Sequence, residues 1–202
     1  MISTPISRPY RRYVVVSGLP ASGKSTVARV LASALCLDLL DKDDFLEALF
    51  ETCEVGDVDW RRQLSVAADA LFRQRAEMSK GAVLASWWLH PRSSTDSGTP
   101  TGWLASLQGP LVEVHCLCSA EVAASRFMTR ARHPGHLDAR WTRAELLASF
   151  ERQALFGPLC VSETLLVNTE VELDGGLLVA RVVNALVANP HNRPCARPSP
   201  SA

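Results

Sequence analysis

The sequence has no excess of charge of either sign. Lys and Arg together number 21 and Asp and Glu also number 21, so the formal net charge at pH 7 is zero. A surface that holds a nucleic-acid backbone is usually strongly basic, because the phosphates must be neutralised. The composition therefore does not favour nucleic acid as a partner or substrate.

The sequence also lacks a long apolar run and the cysteine spacing of a zinc site. No uninterrupted apolar stretch approaches about eighteen residues and no charged-then-apolar signal segment opens the chain, so we expect a cytoplasmic protein with no membrane contact. No C-x-x-C pair and no nearby histidine at ligand spacing accompany the cysteines, so we expect free thiols, mostly in the core. The six cysteines are Cys36, Cys53, Cys116, Cys118, Cys160 and Cys195.

The length and hydrophobic content fit one domain. A chain of 202 residues, 47% of them hydrophobic, can bury one substantial core. We predict an N-terminal arm over 1–12, a single domain over 13–188, and a disordered tail over 189–202, which carries four prolines. We expect either a monomer or a homodimer.

Short apolar runs alternate with amphipathic stretches along this domain. Strands that alternate with helices imply right-handed crossovers, and hence a parallel sheet covered by helices on both faces. Substrates of such a sheet bind at the carboxyl ends of its strands. The predicted strands are 13–17, 37–40, 82–87, 111–117 and 164–167. The predicted helices begin at 24 and near 45, span 57–79 and 119–131, begin at 142 with a capping box, and span 174–187.

A phosphate-binding motif follows the first predicted strand and opens a helix. Gly18-Leu-Pro-Ala-Ser-Gly23-Lys24-Ser25 fits G-x-x-x-x-G-K-[ST] in the context that this motif requires. Its glycines let successive N–H groups face the phosphates, and the helix N-terminus adds partial positive charge. We expect Lys24 to reach the β- and γ-phosphates and the Ser25 hydroxyl to ligate Mg²⁺. The expected ATP contacts in this loop are Gly18, Leu19, Pro20, Ala21, Ser22, Gly23, Lys24, Ser25 and Thr26.

An acidic cluster ends the second predicted strand, with carboxylates at Asp41, Asp43 and Asp44. In a parallel sheet these side chains face the same edge as the phosphate loop. One carboxylate there can hold Mg²⁺ and another can accept the proton of an attacking hydroxyl. The alternative is an N-cap and solvated first turn for the helix that begins near Phe45, most readily for Asp44.

The loop and the acidic cluster together resemble a known group of enzymes. Gly18 to Thr26, followed by Leu-Asp41-Lys-Asp43-Asp44, is similar to the small-molecule kinases of the shikimate kinase, gluconate kinase and chloramphenicol phosphotransferase type, within the nucleoside monophosphate kinase-like fold. The resemblance implies a three-layer α/β/α sandwich whose five-stranded parallel sheet has the order 2-3-1-4-5. It also implies a metal-associated place for Asp41 and an acceptor-contacting, base-like place for Asp43.

A second resemblance lies in Arg126-Phe-Met-Thr-Arg130-Ala-Arg132-His133-Pro-Gly-His136, which is similar to the arginine-bearing helix end and small lid of these kinases. The resemblance implies a lid over about 130–142, with Arg126, Arg130 and Arg132 contacting ATP and Arg130 acting in catalysis. A cationic lid neutralises charge on the transferred phosphoryl group and excludes water. The alternative is an exposed basic helix end that meets the helix dipole.

The sequence departs from these families in the segments that contact the acceptor. The gluconate kinase acceptor motif is absent, and Ser86-Trp87-Trp88 replaces the glycine triplet of shikimate kinases, so neither gluconate nor shikimate is favoured as the acceptor. Candidate acceptor contacts, besides Asp43 and Asp44, are Trp87, Trp88, His90 and Arg92, through ring stacking and pairing with an anion. The alternative is that one tryptophan belongs to the core and the arginine is solvated.

The leading hypothesis is an ATP-dependent kinase that transfers the γ-phosphate of Mg·ATP to a hydroxyl of a small molecule, such as a metabolite, antibiotic or natural product. Two alternatives stay open. One is a polynucleotide or tRNA 5′-hydroxyl kinase, against which the neutral composition argues. The other is a nucleotide-binding regulatory module with little catalysis.

Overall fold

A computed structural model describes residues 11–52, 54–94 and 97–188. The first ten residues of the predicted arm, Cys53, Cys195 and the predicted tail lie outside the described residues. The strands are β1 (Tyr13–Gly18), β2 (Asp38–Asp41), β3 (Ala82–Ala85), β4 (Leu111–Leu117) and β5 (Glu163–Asn168). The α-helices in the described part are α1 (Lys24–Leu35), α2 (Lys42–Phe50), α3 (Val58–Met78), α4 (Ala120–Thr129), α5 (Arg143–Ala154) and α6 (Gly175–Ala188).

The five strands form one parallel sheet in the order β2-β3-β1-β4-β5, which confirms the predicted order. β1 is central, and its β-branched residues are buried on both faces of the sheet. Val14 and Val16 pack against α1 and α6 on one face. Tyr13 and Val15 face the opposite layer, which contains α3. The loop that follows β1 therefore emerges at the middle of the sheet's carboxyl edge.

The third strand is shorter than predicted. It ends at Ala85, where the paired segments of both neighbours also end, at Asp41 of β2 and Val16 of β1. Beyond it, Trp88 pairs only through an isolated bridge to Thr99. The prediction of strand as far as residue 87 is wrong because no neighbour continues the ladder.

Helix starts follow local capping chemistry. The predicted capping box of α5 is present, with Thr142 and Glu145 bonded reciprocally. The start of α2 was predicted near Phe45 but lies at Lys42, because the Asp41 side chain accepts a hydrogen bond from the N–H of Asp43 and caps the helix earlier. None of the helices in the described ranges is long and apolar enough to cross a membrane.

The described cysteines carry free thiols, but the predicted core location holds only in part. Cys116 on β4 is buried, and burial raises its pKa to about 12. Cys36 and Cys160 are exposed, which corrects the prediction for these two. Each has a positive φ, 51° and 55° respectively, and so belongs to a turn that leaves the core.

Candidate active site

The loop between β1 and α1 has the backbone shape of a phosphate cradle. Gly18 and Gly23 have φ angles of 132° and 89°, which favour glycine. A Cβ at Gly18 would come within 2.7 Å of the Cys116 carbonyl oxygen, so a larger residue does not fit there. The Ser22 hydroxyl is buried without a hydrogen-bond partner in the described residues. A buried, unpaired hydroxyl in this loop is a polar group that a bound anion can satisfy.

Lys24, the first residue of α1, has its ammonium group inside this loop. Its Nζ donates to the carbonyl oxygens of Leu19, at 2.6 Å, and Gly18, at 3.2 Å. Burial lowers the pKa of Lys24, although Cys116 and Asp41 oppose that effect. A phosphate oxygen beside this ammonium would favour its charged form.

Ser25 and Asp41 lie together, as predicted for a metal pair. The Ser25 hydroxyl donates to Asp41 Oδ2 at 2.6 Å, and Asp41 pairs in register with Ala85 at the end of β3. Burial raises the pKa of the Asp41 carboxyl, with the Ser25 hydrogen bond opposing it. A hydroxyl and a carboxylate are the hard oxygen donors that Mg²⁺ prefers, and a cation would offset the carboxylate's burial. These two residues therefore fit a magnesium ion.

Asp43 on α2 forms an ion pair with the predicted lid. Arg132 Nη2 lies 2.5 Å from Asp43 Oδ2, and Arg132 Nη1 lies 3.3 Å from Asp138. Burial on its own would raise the pKa of Asp43, but Arg132 and then His136 oppose burial, and the net pKa lies below its ordinary value. Asp44, one residue on, is exposed in the first turn of α2.

The lid segment is docked on α2. Phe50 is only 1% exposed, and its ring stacks on His133 at 5.2 Å and meets His136 edge-on at 5.1 Å. The His136 ring also contacts Glu47, with Nε2 at 2.7 Å from Oε1. Between the two histidines, a Cβ at Gly135 would meet Phe50 at 2.7 Å. His133 and His136 therefore hold the turn between them against α2.

Arg126 and Arg130, the other two arginines expected to contact ATP, form hydrogen bonds with other residues of the protein. Arg126 donates to the Thr169 carbonyl oxygen at 2.9 Å, and the Thr169 hydroxyl donates to the Ser22 carbonyl at 2.6 Å, which links α4 to the phosphate loop. Arg130 donates to Asp138 at 3.2 Å, and its guanidinium lies 4.0 Å from the centre of the Phe127 ring. Burial lowers the pKa of Arg130.

Arg61 on α3 is a charged residue of this region that sequence reasoning missed. Its Nε has no hydrogen-bond partner within the described residues. Burial, followed by Arg132, lowers its pKa, and Asp43 acts in the opposite sense. The sequence does indicate Arg61 by its position, because it lies three residues before Leu64 and seven before Ala68 and so on the buried face of the helix. A charge on such a stripe indicates a functional or paired group.

A buried polar network that the sequence did not reveal anchors the loop after β3. Lys42 donates to Ser65 at 2.6 Å and lies 3.6 Å from Asp69. Asp69 accepts from Thr99 at 2.7 Å, and Thr99 in turn lies 2.6 Å from the Ser86 hydroxyl. Burial lowers the pKa of Lys42 and raises that of Asp69. The network ties α2 and α3 to the loop that carries the predicted acceptor residues.

A cavity of about 260 Å³ opens between this loop and the phosphate loop. Its walls include Gly18 and Leu19 on one side and Trp87 and Trp88 on another. Trp88 is 5% exposed and donates to the Val16 carbonyl at 2.9 Å, so it also belongs to the core, as one of the alternatives expected. Trp87 is 40% exposed and donates to Gln153 at 3.1 Å.

His90 and Arg92 are both held by the segment that follows α5. The His90 ring stacks on Phe156 at 5.0 Å, and its Nε2 lies 3.1 Å from the Pro158 carbonyl oxygen. Burial lowers the pKa of His90. Arg92 is exposed and donates to the Phe156 carbonyl oxygen. His90 lines the cavity, whereas Arg92 is outside its described lining.

The model of a family described as AAA domain matches residues 14–153. A shikimate kinase from Corynebacterium jeikeium (strain K411) is 45% identical over 64 residues, which cover 28% of this chain and 35% of that kinase. The chain thus matches about a third of the length of this curated relative.

Solved structures with the same fold include kinases. A candidate kinase from Chloroflexus aurantiacus J-10-fl has a TM-score of 0.74 and 26% identity, over 88% of this chain and 99% of that one. A shikimate kinase from Acinetobacter baumannii, in complex with shikimate, has a TM-score of 0.50 and 17% identity, over 89% of this chain and 94% of that one. At that identity the second likeness shows the fold alone.

Proposed function

The chain belongs to the AAA domain family of P-loop proteins, and from that membership we propose that it is an ATP-dependent kinase acting on a hydroxyl of a small molecule. The observation that carries the proposal is the convergence of Lys24, the Ser25–Asp41 pair and Asp43 at one edge of the sheet. Electrostatic interactions couple Lys24 to both aspartates. A phosphate loop faced by two carboxylates has what phosphoryl transfer needs: a phosphate cradle, a metal pair and a group that orients the nucleophile.

Each residue of the site has a specific role in the proposed reaction. The N–H groups of the loop and Lys24 bind the β- and γ-phosphates, while Ser25 and Asp41 would hold Mg²⁺, which would neutralise charge on the phosphate oxygens. The acceptor oxygen forms a bond to the γ-phosphorus as the bond between that phosphorus and the β–γ bridging oxygen breaks. ADP leaves with the electron pair of the broken bond.

Asp43 orients the acceptor hydroxyl and receives its proton. Arg132 lowers the pKa of Asp43, so the carboxylate is ionised and free to accept a hydrogen bond, though it is a weak base. Weak basicity suits this reaction, because phosphoryl transfer passes through a loose transition state in which positioning contributes more than proton abstraction. The lid arginines add positive charge near the transferred group.

The experiment is ADP release from Mg·ATP across a panel of possible acceptors. The panel contains shikimate, gluconate, aminocyclitols, phenicols, nucleosides and 5′-hydroxyl oligonucleotides, and mass spectrometry checks each product for one added phosphate. We expect Asp43→Asn to lower turnover of the active acceptor by about 10²–10⁴-fold with ATP binding retained. Lys24→Ala should weaken both ATP binding and turnover.

The matched control is Asp59→Asn, because Asp59 lies in the first turn of α3 as Asp43 lies in the first turn of α2, but Asp59 is exposed whereas Asp43 is half-buried. It should leave turnover unchanged. Failure of the protein to bind ATP would refute the proposal. Tight ATP binding with no phosphorylated product would favour a regulatory module, and phosphorylation of the oligonucleotides alone would favour a polynucleotide kinase.

A further inference from the structure

His115 on β4 lies in the wall of the cavity but outside the phosphate machinery described above. It pairs in register with Ser17, the residue before the phosphate loop, and both face the layer that contains α3. Its Nδ1 lies 2.8 Å from the Ser17 hydroxyl oxygen. Since side chains alternate along a strand, Glu113 points to the same face two residues earlier.

Glu113 fixes the direction of the Ser17 hydrogen bond. Its side chain is fully buried and accepts four hydrogen bonds, from the Ser17 and Thr164 hydroxyls and from the N–H groups of Leu159 and Cys160. The Ser17 hydroxyl has one hydrogen, and it donates that hydrogen to Glu113 at 2.6 Å. Towards His115 the same hydroxyl oxygen can therefore only accept.

This arrangement determines the tautomer of His115. Its Nδ1 must carry the hydrogen that Ser17 accepts, so in the neutral ring the lone pair is on Nε2. Burial lowers the pKa of His115, with Lys24 acting in the same sense and Glu113 against it, which supports a neutral ring. Within the described residues Nε2 has no hydrogen-bond partner, while the ring lines the cavity. The cavity thus contains a fixed hydrogen-bond acceptor.

The rest of the cavity wall is uncharged. No Lys, Arg, Asp or Glu occurs among its described lining residues, which include the exposed indole of Trp87 and the Phe156 ring. A carboxylate placed here would lose hydration, and none of the described lining residues is a cation that could pair with it, which is unfavourable. An aromatic wall instead offers stacking surface to a ring. Because Gly18 and Leu19 also line the cavity, its occupant lies beside the site of the γ-phosphate.

We propose that this cavity binds an uncharged, ring-bearing alcohol beside the phosphate loop, and that His115 Nε2 accepts a hydrogen bond from one of its hydroxyls. Neither the cavity nor the His115 tautomer depends on the proposed kinase activity. Glu113 and Ser17 act as positioning residues that hold the His115 tautomer. The volume, about 260 Å³, is close to the lower end of the range of about 300–1,000 Å³ for small-molecule sites.

The first test is the tautomer of His115, measured without any ligand. Two-bond ¹H–¹⁵N spectra of the ¹⁵N-histidine-labelled protein distinguish protonated from unprotonated ring nitrogens. The sequence has five histidines, and the signal lost in His115→Gln assigns the residue. We expect hydrogen on Nδ1 and none on Nε2, and an Nε2–H tautomer would overturn the proposal.

The second test uses a matched pair of probes, 1-phenylethane-1,2-diol and mandelate, which share a ring and a hydroxyl but differ in charge. We expect the diol to bind and to shift the His115 Nε2 signal, and mandelate to bind at least about tenfold more weakly. His115→Phe should weaken the diol about five- to tenfold, since one hydrogen bond is lost. His115→Gln, whose side-chain oxygen can accept near the position of Nε2, should restore most of the affinity.

Equal binding of the two probes, or diol binding that is the same in His115→Phe, would overturn the inference. ATP affinity of the same proteins separates this failure from failure of the proposed function. If ATP binds but the diol does not, the cavity assignment is wrong while the kinase proposal stands. If the diol binds at His115 but no acceptor is ever phosphorylated, the binding site is supported and the kinase proposal fails.

Discussion

Replacing Glu113 by Gln tests whether a buried carboxylate holds the sheet, the α5–β5 connection and His115 in one arrangement. The substitution keeps the shape but exchanges one acceptor oxygen for an NH₂ group. Oε1 accepts from Ser17 and from the Leu159 N–H, at 2.6 and 2.8 Å, and Oε2 accepts from the Cys160 N–H and Thr164, at 2.8 and 3.1 Å. The new NH₂ must therefore face one hydroxyl and one backbone N–H in either orientation.

The size of the effect follows from which of these donors has another partner. Ser17 can turn its hydroxyl towards His115 Nδ1, and Thr164 can donate to the Ser162 carbonyl oxygen at 3.3 Å. A backbone N–H cannot turn towards another acceptor as a hydroxyl can, and a buried, unsatisfied donor costs about 1–3 kcal/mol. The remaining bonds also lose the assistance of the charge, which adds about 1 kcal/mol. We expect Glu113→Gln to lower the free energy of unfolding by about 2–4 kcal/mol.

Urea unfolding followed by circular dichroism measures this loss. At an m-value of about 2 kcal/mol/M, the midpoint should fall by about 1–2 M. The control is Glu172→Gln, an exposed carboxylate near the end of β5, which should change stability by less than about 0.5 kcal/mol. A Glu113→Gln protein as stable as this control would refute the four-donor arrangement and with it the reasoning about the His115 tautomer.

Two further predictions concern the lid and the cavity histidine. Gly135→Ala places a Cβ 2.7 Å from the Phe50 ring, so it should displace the lid turn at a free-energy cost of about 1–2 kcal/mol and lower acceptor-dependent ADP release about tenfold. The control is Gly102→Ala, whose Cβ meets nothing within 4 Å and which should leave the rate unchanged. Equal rates in the two variants would contradict lid docking on Phe50. Because the pKa of His115 is lowered in the folded state, the unfolded chain binds a proton first as the pH falls below about 6.5, so stability is lost on acidification. Unfolding at pH 7.5 and pH 5.5 should show a smaller loss in His115→Gln than in the wild type, and an equal or larger loss would contradict a neutral, buried ring.

The phosphate loop could be predicted because local sequence determines it, and the sheet order because the loop and the acidic cluster resemble those of a known family. Gly18 and Gly23 occupy backbone conformations that favour glycine, so their spacing signals the loop directly. The strands of the sheet centre are continuous apolar runs, and their alternation with amphipathic helices restricts the topology to few choices. The end of β3 was misjudged because Trp87 and Trp88 have strand propensity, whereas the ladder depends on neighbours that stop at Ala85.

The contacts of the site could not be predicted, because they join distant parts of the chain. Asp43 and Arg132 were each assigned a separate partner from sequence, and their pairing spans 89 positions. Glu113 lies inside a strand that reads as apolar, and its four donors come from β1, β5 and the connection before β5. No local pattern encodes either arrangement.

The pairing of Asp43 with Arg132 has a consequence for how lid and site work together. Arg132 belongs to the lid and Asp43 to α2, so the ion pair exists only while the lid turn is docked on Phe50. Undocking removes Arg132, the strongest of the charges that lower the pKa of Asp43, and leaves burial to raise it. The carboxylate is therefore held ionised by a residue of the same segment that packs on Phe50. The charge state of Asp43 is coupled in this way to the docking of that segment on α2.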